Sequence, residues 1–267
     1  MAAVAVKADG TFAPIQNVGD WVQDRKDLRI SHLAHGCVLA RPVGWPILRA
    51  VGALSMNEQQ RLKYPRTPHL PWSLGRSSDD IVLADSTQFS GKKVVVTEKM
   101  DGENTTMTRQ YIHARSVDSG YHASRTWVKR LHAQIKEEIP EGWRICGENL
   151  YAQHSIAYET LPDFFLVFSI WDERNAALSW DETENWSTLL GLRTVPVLQI
   201  GLWDESAIRG IVRMMNPERQ EGYVVRLFAP FDFADFANSV AKFVRSRHVR
   251  TDTHWLSKPV VPNKLCL

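Results

Sequence analysis

Residues 94–104 read Val94-Val95-Val96-Thr97-Glu98-Lys99-Met100-Asp101-Gly102-Glu103-Asn104. The β-branched run at the start favours an extended strand. Asp101-Gly102 is a turn pair, so the chain turns there, and a second β-type run leaves from Thr105. A lysine is thereby held at a strand terminus, at the mouth of whatever cleft the sheets form. A neutral amine in that position is a nucleophile. Burial or a neighbouring cation would lower Lys99 from the ordinary value of about 10.4 and raise its reactive fraction. Taken alone, the same segment is also an ordinary hairpin carrying a surface lysine.

Outward from this turn the pattern stays β-rich. Strands are predicted over 94–97, 105–109, 111–114, 145–151, 164–171, 223–227 and 241–244. Residues 127–138 place Trp127, Leu131 and Ile135 at spacing four, which predicts an amphipathic helix. A second helix is expected over 206–215, where Ile208, Ile211 and Val212 share a face. Strands and helices do not alternate strictly, which argues against a doubly wound parallel sheet. The expected class is α+β with mostly antiparallel sheets. Residues 63–78 hold three prolines and read as an extended, ordered connector. The first 62 residues are the least legible, with weak helical periodicity over 17–29 and 47–62.

Composition narrows the class. The chain has 267 residues, 44% apolar and 23% charged, which excludes disorder, a collagen-like fibre and a disulfide scaffold. A net charge of +2 means that any basic surface must be local. The longest apolar run, 164–171, is too short to span a bilayer, and no signal-type segment opens the chain. The expectation is a soluble, intracellular, cytoplasmic protein. Cys37, Cys146 and Cys266 are far apart and odd in number, so they read as reduced thiols, not as a disulfide framework or a zinc site. No G-x-x-x-x-G-K-[S/T] loop is present, which excludes a P-loop.

Further motifs follow the hairpin in order. They are Ala114-Arg115-Ser116, Cys146-Gly147-Glu148-Asn149, the aromatic strand around Phe164-Phe165-Leu166-Val167-Phe168, Glu221-Gly222-Tyr223-Val224-Val225-Arg226, and Ala241-Lys242-Phe243-Val244-Arg245. Together with Lys99-Met100-Asp101-Gly102, this ordered set resembles the covalent nucleotidyltransferase superfamily of polynucleotide ligases and capping enzymes. Within it the chain looks most like RNA ligases of the phage T4 RNA ligase 2 type. The resemblance covers residues 63 to about 255.

The resemblance implies an ATP-grasp-like adenylyltransferase fold whose antiparallel sheets, flanked by helices, form a nucleotide-binding cleft. It divides the chain into an N-terminal segment of unclear role (1–62), a nucleotidyltransferase domain (63–258) and a tail (259–267). It implies an ATP-dependent RNA ligase acting in RNA repair. Lys99 would take AMP from ATP, pass it to an RNA 5′-phosphate, and an RNA 3′-hydroxyl would then seal the strand. Capping-type guanylyltransferase, DNA ligase and an inactive nucleic-acid-binding relative are the alternatives.

By the same resemblance, Lys99 is the nucleophile, with Asp101 and Asn104 as its motif neighbours. Glu98 lies near the adenine, Arg115 contacts the sugar or a 5′-phosphate, and Glu148 bonds the ribose hydroxyl. Phe168, or Phe165 if the register shifts, stacks on the purine. Asp101 and Glu221 support a divalent metal, Mg²⁺ or Mn²⁺, by way of bound water. Lys242 and Arg245 meet the α-phosphate. The family often has Lys-x-Lys in that last element; here Val244 holds the second place and Arg245 is the expected substitute. Arg247, Arg250 and Lys258, with His248, His254 and Trp255, read as a solvated face or an RNA path. The chain ends twelve residues after Trp255. The expectation is that strand sealing draws on the N-terminal 60 residues, a partner protein or pre-adenylated ends in place of a C-terminal domain.

Overall fold

The computed structural model describes residues 61–117, 120–246 and 259–266, and the backbone of four strands before residue 60. The chain divides into two compact units, Met1–Gln59 and Gln60–Leu267. In the first unit β1 (Ala3–Val6) pairs antiparallel with β2 (Phe12–Ile15), and β3 (Leu28–His32) with β4 (Val38–Pro42). The helical periodicity read over 17–29 gives way to a strand at Leu28 and Arg29; residues 17–27 and 47–60 lie outside the described residues.

The second unit is built on two sheets. The smaller has the order β12-β5-β13-β15: β5 is Lys93–Lys99, β12 Val197–Leu202, β13 Gly222–Leu227 and β15 Val240–Val244. All its pairings are antiparallel. The larger has the order β14-β10-β9-β8-β6-β7. Its strands are β6 (Glu103–Met107), β7 (Ile112–Ala114), β8 (Arg144–Asn149), β9 (Phe165–Trp171), β10 (Ala176–Ala177) and β14 (Phe231–Asp232). A short β11 (Arg193–Thr194) joins β9 in parallel. The class is therefore α+β with mostly antiparallel sheets, as expected.

Alternation along β5 explains the layers. Val94 and Val96 pack with Tyr223, Val225 and Phe243 on the outer face, covered by Ile208 of α3 (Glu205–Gly210). Val95 points the other way, toward Leu150, Leu166 and Trp180 between the sheets. Each such side chain contributes about 1.5–3 kcal/mol on burial. The outer face of the larger sheet is covered by α1 (Thr126–Ile135), whose Val128 and Ile135 meet Phe165 and Val167. α2 (Trp180–Leu189) starts at Ser179 with a capping box to Glu182. A last short helix, α4 (Phe236–Ser239), leads into β15.

Residues 259–266 pack into this unit. Asn263 is buried, accepts from the Tyr158 N–H at 2.8 Å and donates to the Leu150 carbonyl at 2.7 Å. Among the described residues, no helix is long and apolar enough to cross a membrane.

Candidate active site

A cleft of about 360 Å³ lies between the two sheets. Thr97 and Lys99 follow Val95 on the cleft-facing side of β5, so alternation brings the lysine into it. β13 pairs Gly222 with Lys99. Glu221 thus stands one residue beyond that pair, and its Oε2 accepts from Lys99 Nζ at 2.7 Å. The lysine side chain is 25% exposed and that of Glu221 only 8%.

Gly222 permits the close approach of β13 to β15: a Cβ there would run into the Phe243 carbonyl oxygen.

The electrostatics differ from the sequence expectation. Burial pulls Lys99 down, but Glu221, Glu148 and Asp101 outweigh it and hold the ammonium above its ordinary range. Burial pushes Glu148 up to about 8, against the pull of the Lys99 charge; Glu221 and Asp101 push it further in the same direction. Its Oε1 accepts the Gly102 N–H at 3.2 Å. The cleft therefore sets the Lys99 ammonium against the Glu221 carboxylate, beside a Glu148 that burial holds above the ordinary carboxylate range.

A consequence for stability follows. Glu148 ionises near its ordinary value when unfolded and near 8 when folded, so the folded state binds more protons between those limits. This contribution to stability is lost as pH rises through about 8. Glu148→Gln removes it, so thermal melts from pH 6 to 9 should show the variant gaining on the wild type as pH rises. A pH-independent difference in Tm would contradict the assignment.

The other sequence-selected residues divide into two groups. Glu98, Asn104, Arg115, Phe168 and Lys242 line the cleft with Lys99 and Glu148. Glu98 is pushed up by burial and accepts from Gln220 Nε2 at 3.0 Å. Asn104 pairs with Glu148 across β6 and β8, and its Oδ1 is buried without a partner among the described residues. Arg115 donates to the Tyr64 carbonyl at 3.2 Å, and burial lowers it.

Phe168 is the extra residue where β9 bulges: Cys146 pairs with Ser169, but Gly147 pairs with Val167. The bulge lets both Phe168 and Ser169 reach the cleft, while Phe165 stays fully buried beneath α1. Lys242 aligns with Val224 and Thr97, on the lysine face. Burial and the Lys99 charge hold it below its ordinary value.

Asp101 and Arg245 do not line the cleft. Asp101 Oδ2 accepts the N–H groups of Ser155 and Ile156, both at 2.8 Å, and its own N–H donates to the Tyr158 hydroxyl. Its geometry is that of a loop anchor, buttressed through Tyr158 by Asn263. Arg245 donates to the Gln220 carbonyl at 2.9 Å. Arg245 stands one residue past the end of β15 and three after Lys242, whereas the two lysines of a Lys-x-Lys are two apart and share a strand face. Arg247, His248, Arg250, His254, Trp255 and Lys258 lie outside the described residues.

Several cleft residues were not read from the sequence. Arg226 is buried and donates to the carbonyls of Phe168 and Leu178, tying the bulge to β13. Its position two beyond Val224 was the available signal. The connector brings Tyr64, whose ring meets Phe168 edge-on at 5.1 Å, and Arg66. It also leads to Asp80, 3.7 Å from Lys242 Nζ. Burial pushes Asp80 up, but bonds from Ser77 and the Lys242 charge hold it at about 2.

Residues 92–244, more than half of the chain, match the family model described as RNA ligase. The chain belongs to the RNA ligase family. Among solved structures the chain is similar to the Naegleria gruberi RNA ligase with PPi, at 20% identity and a TM-score of 0.46, over 60% of this chain and 51% of that one. An archaeal ATP-dependent RNA ligase gives 16% identity and a TM-score of 0.48, over 91% and 58%. A putative ATP-dependent DNA ligase from Aquifex aeolicus gives 22% and 0.46, over 60% and 46%. The aligned part thus spans about half the length of these proteins. No curated protein matches the chain.

Proposed function

We propose that this chain is an ATP-dependent RNA ligase whose first step joins AMP to Lys99. The observation that carries the reading is the amine of Lys99, in a cleft between two sheets, 2.7 Å from Glu221 and sharing that cleft with Glu148, Phe168 and Lys242. In this reading Nζ forms a bond to the α-phosphorus of ATP while the bond to pyrophosphate breaks. The ammonium must first lose its proton, and the Glu221 carboxylate is the acceptor at hand. AMP then passes to an RNA 5′-phosphate, and a 3′-hydroxyl attacks that phosphate and releases AMP. Such chemistry depends on positioning and charge neutralisation.

The side chains take matching roles. Phe168 offers its ring to the adenine and Glu98 its backbone, while Glu148 bonds the ribose hydroxyl. Asn104 offers its unpartnered oxygen, Arg115 meets the sugar or the 5′-phosphate, and Lys242 faces the α-phosphate. Arg245 enters only by fixing the Gln220 carbonyl beside Glu221. Among the described residues no group of three His, Cys, Asp or Glu could cage a metal. That donor set fits Mg²⁺ or Mn²⁺ held with water and nucleotide phosphates, not a dedicated protein cage. Glu221 would hold it, with Asp101 acting by way of its loop, and the ion when bound would neutralise phosphate charge. Residues 63–258 would be the catalytic domain, and a cytoplasmic place in RNA repair, alone or with a partner protein, belongs to the same reading.

The test is incubation with labelled ATP, GTP or NAD, then transfer of the label to a 5′-phosphate RNA. A covalent adduct from ATP alone, followed by sealing, is expected; an adduct from GTP alone would point to a capping-type enzyme. Because acids hold Lys99 protonated, the adduct rate should rise with pH between 6 and 9. Lys242→Ala should slow adduct formation by about 10²–10³, the usual cost of one transition-state donor. A wild-type rate in single-turnover assays would remove Lys242 from the site.

A further inference from the structure

Lys242 is held from two sides. β13 aligns it with Val224, and on the opposite edge of β15 the connector takes its backbone. The Lys242 N–H donates to the Pro68 carbonyl at 2.9 Å, and its carbonyl accepts the Leu70 N–H at 2.8 Å. The connector runs on along β15, where Ser73 Oγ accepts the Val244 N–H at 2.9 Å. It then folds back on itself. Asp80 Oδ2 accepts from the Ser77 N–H at 2.9 Å and from Ser77 Oγ at 2.8 Å, and the Ile81 carbonyl accepts the His69 N–H at 2.7 Å. The His69 ring is buried between the two passes, with Nδ1 2.7 Å from Ser73 Oγ and Nε2 3.4 Å from Asp80 Oδ2. The Asp80 carboxylate is thus fixed before any ligand arrives.

Asp80 Oδ1 stands 3.7 Å from Lys242 Nζ. That is an ion pair too long for a hydrogen bond, so the carboxylate orients the ammonium without taking the hydrogens that a phosphate would accept. Both side chains open on the cleft. Lys242 needs such a partner, because a lysine carries its charge on a flexible four-carbon stem. Lys99 of β5, Arg115 after β7, Glu221 before β13 and Asp80 face it. Burial, the Lys99 charge and Arg115 favour loss of its proton, and Asp80 and Glu221 oppose that. Glu221 already accepts from Lys99 at 2.7 Å, so Asp80 is the anion at hand for Lys242. With its carboxyl held at about 2, Asp80 carries its charge at neutral pH.

We propose that Asp80, set in place by Ser77 and His69, is a positioning residue for adenylylation: it holds the Lys242 ammonium where the α-phosphate comes to Lys99. The proposal rests on the ligase reading and adds to it a residue from outside the motifs that carry that reading.

The test is a double-mutant cycle, read by single-turnover adduct formation from labelled ATP with Mg²⁺ and without RNA. Asp80→Asn keeps the size of the side chain and removes its charge. It should slow the adduct rate about tenfold, less than the loss of the Lys242 amine itself. In the Lys242→Ala background the same change should slow the rate no further. A merely structural role for Asp80 would give its loss in both backgrounds. Ser77→Ala, at an exposed residue, removes one of the two bonds to Asp80 and should slow the rate about threefold, again only where Lys242 is present. The proposal is overturned by an Asp80→Asn rate equal to that of the wild type or above it, or by a loss that persists in Lys242→Ala. If Asp80→Asn fails to fold, the Ser77→Ala cycle decides by the same criteria. No adduct in the wild type would overturn the ligase reading itself; a normal wild-type adduct with either of the outcomes above overturns the positioning role alone.

Discussion

Lys99→Arg should form no detectable nucleotide adduct while melting close to the wild type. The guanidinium keeps the positive charge beside Glu221, so the ion pair that fixes the end of β5 persists. It does not deprotonate near neutral pH, so it has no lone pair for phosphorus. Lys99→Ala should be equally inactive but less stable, because it leaves the Glu221 carboxylate buried and unmatched by its lysine. Gel detection of labelled adduct, beside thermal melts of both variants, checks the pair. A residual adduct in either would place the nucleophile elsewhere.

Gly222→Ala should cost about 3 kcal/mol or more, at the upper end of overpacking effects. Its Cβ would run into the Phe243 carbonyl oxygen, and the contact is backbone, which cannot rotate away. The strands β13 and β15 would have to part at the pair Gly222 and Val244. Gly222 also pairs with Lys99, so the same movement carries Glu221 away from the Lys99 amine. Denaturant melts should show a large drop in midpoint, and adduct formation should fall even at temperatures where the variant stays folded. A wild-type melt would mean that the close approach is not a feature of the native sheet.

The two-sheet core was legible because its strands carry their signal in β-branched and aromatic runs. Val94–Val96 and Phe164–Phe168 needed no partner to be read. α2 escaped because its buried face is Trp180, Thr183 and Ser187, two of them hydroxyl residues. Those hydroxyls bond the carbonyls four residues back, which makes them buriable without leaving apolar periodicity. The one readable sign was Ser179-x-x-Glu182. β12 is an edge strand whose Leu198, Ile200 and Leu202 are exposed, so no alternation between core and solvent marks it.

The site divides the same way. Lys99, Glu148 and Lys242 sit in short motifs with strand parity toward the cleft, and the motifs point to them directly. Arg245 was chosen by analogy of charge; it lies one residue past β15, outside the strand pattern that carries Lys242. Arg226 ties backbone carbonyls of the cleft wall, while Tyr64 and Asp80 act on the side chains of Phe168 and Lys242, and such contacts leave no local pattern. The raised Lys99 depends on Glu221, Glu148 and Asp101, and the raised Glu148 on burial first and then on Glu221 and Asp101, sums that only the fold assembles.

The central claim is that Lys99 Nζ becomes covalently joined to AMP. The direct measurement is peptide mass spectrometry of the wild-type protein after incubation with ATP and Mg²⁺ without RNA. The account predicts one added adenylyl group, on the peptide that contains Lys99 and localised to that side chain by fragmentation. An adenylyl group on another lysine, or none while ATP is consumed and RNA is sealed, would contradict it.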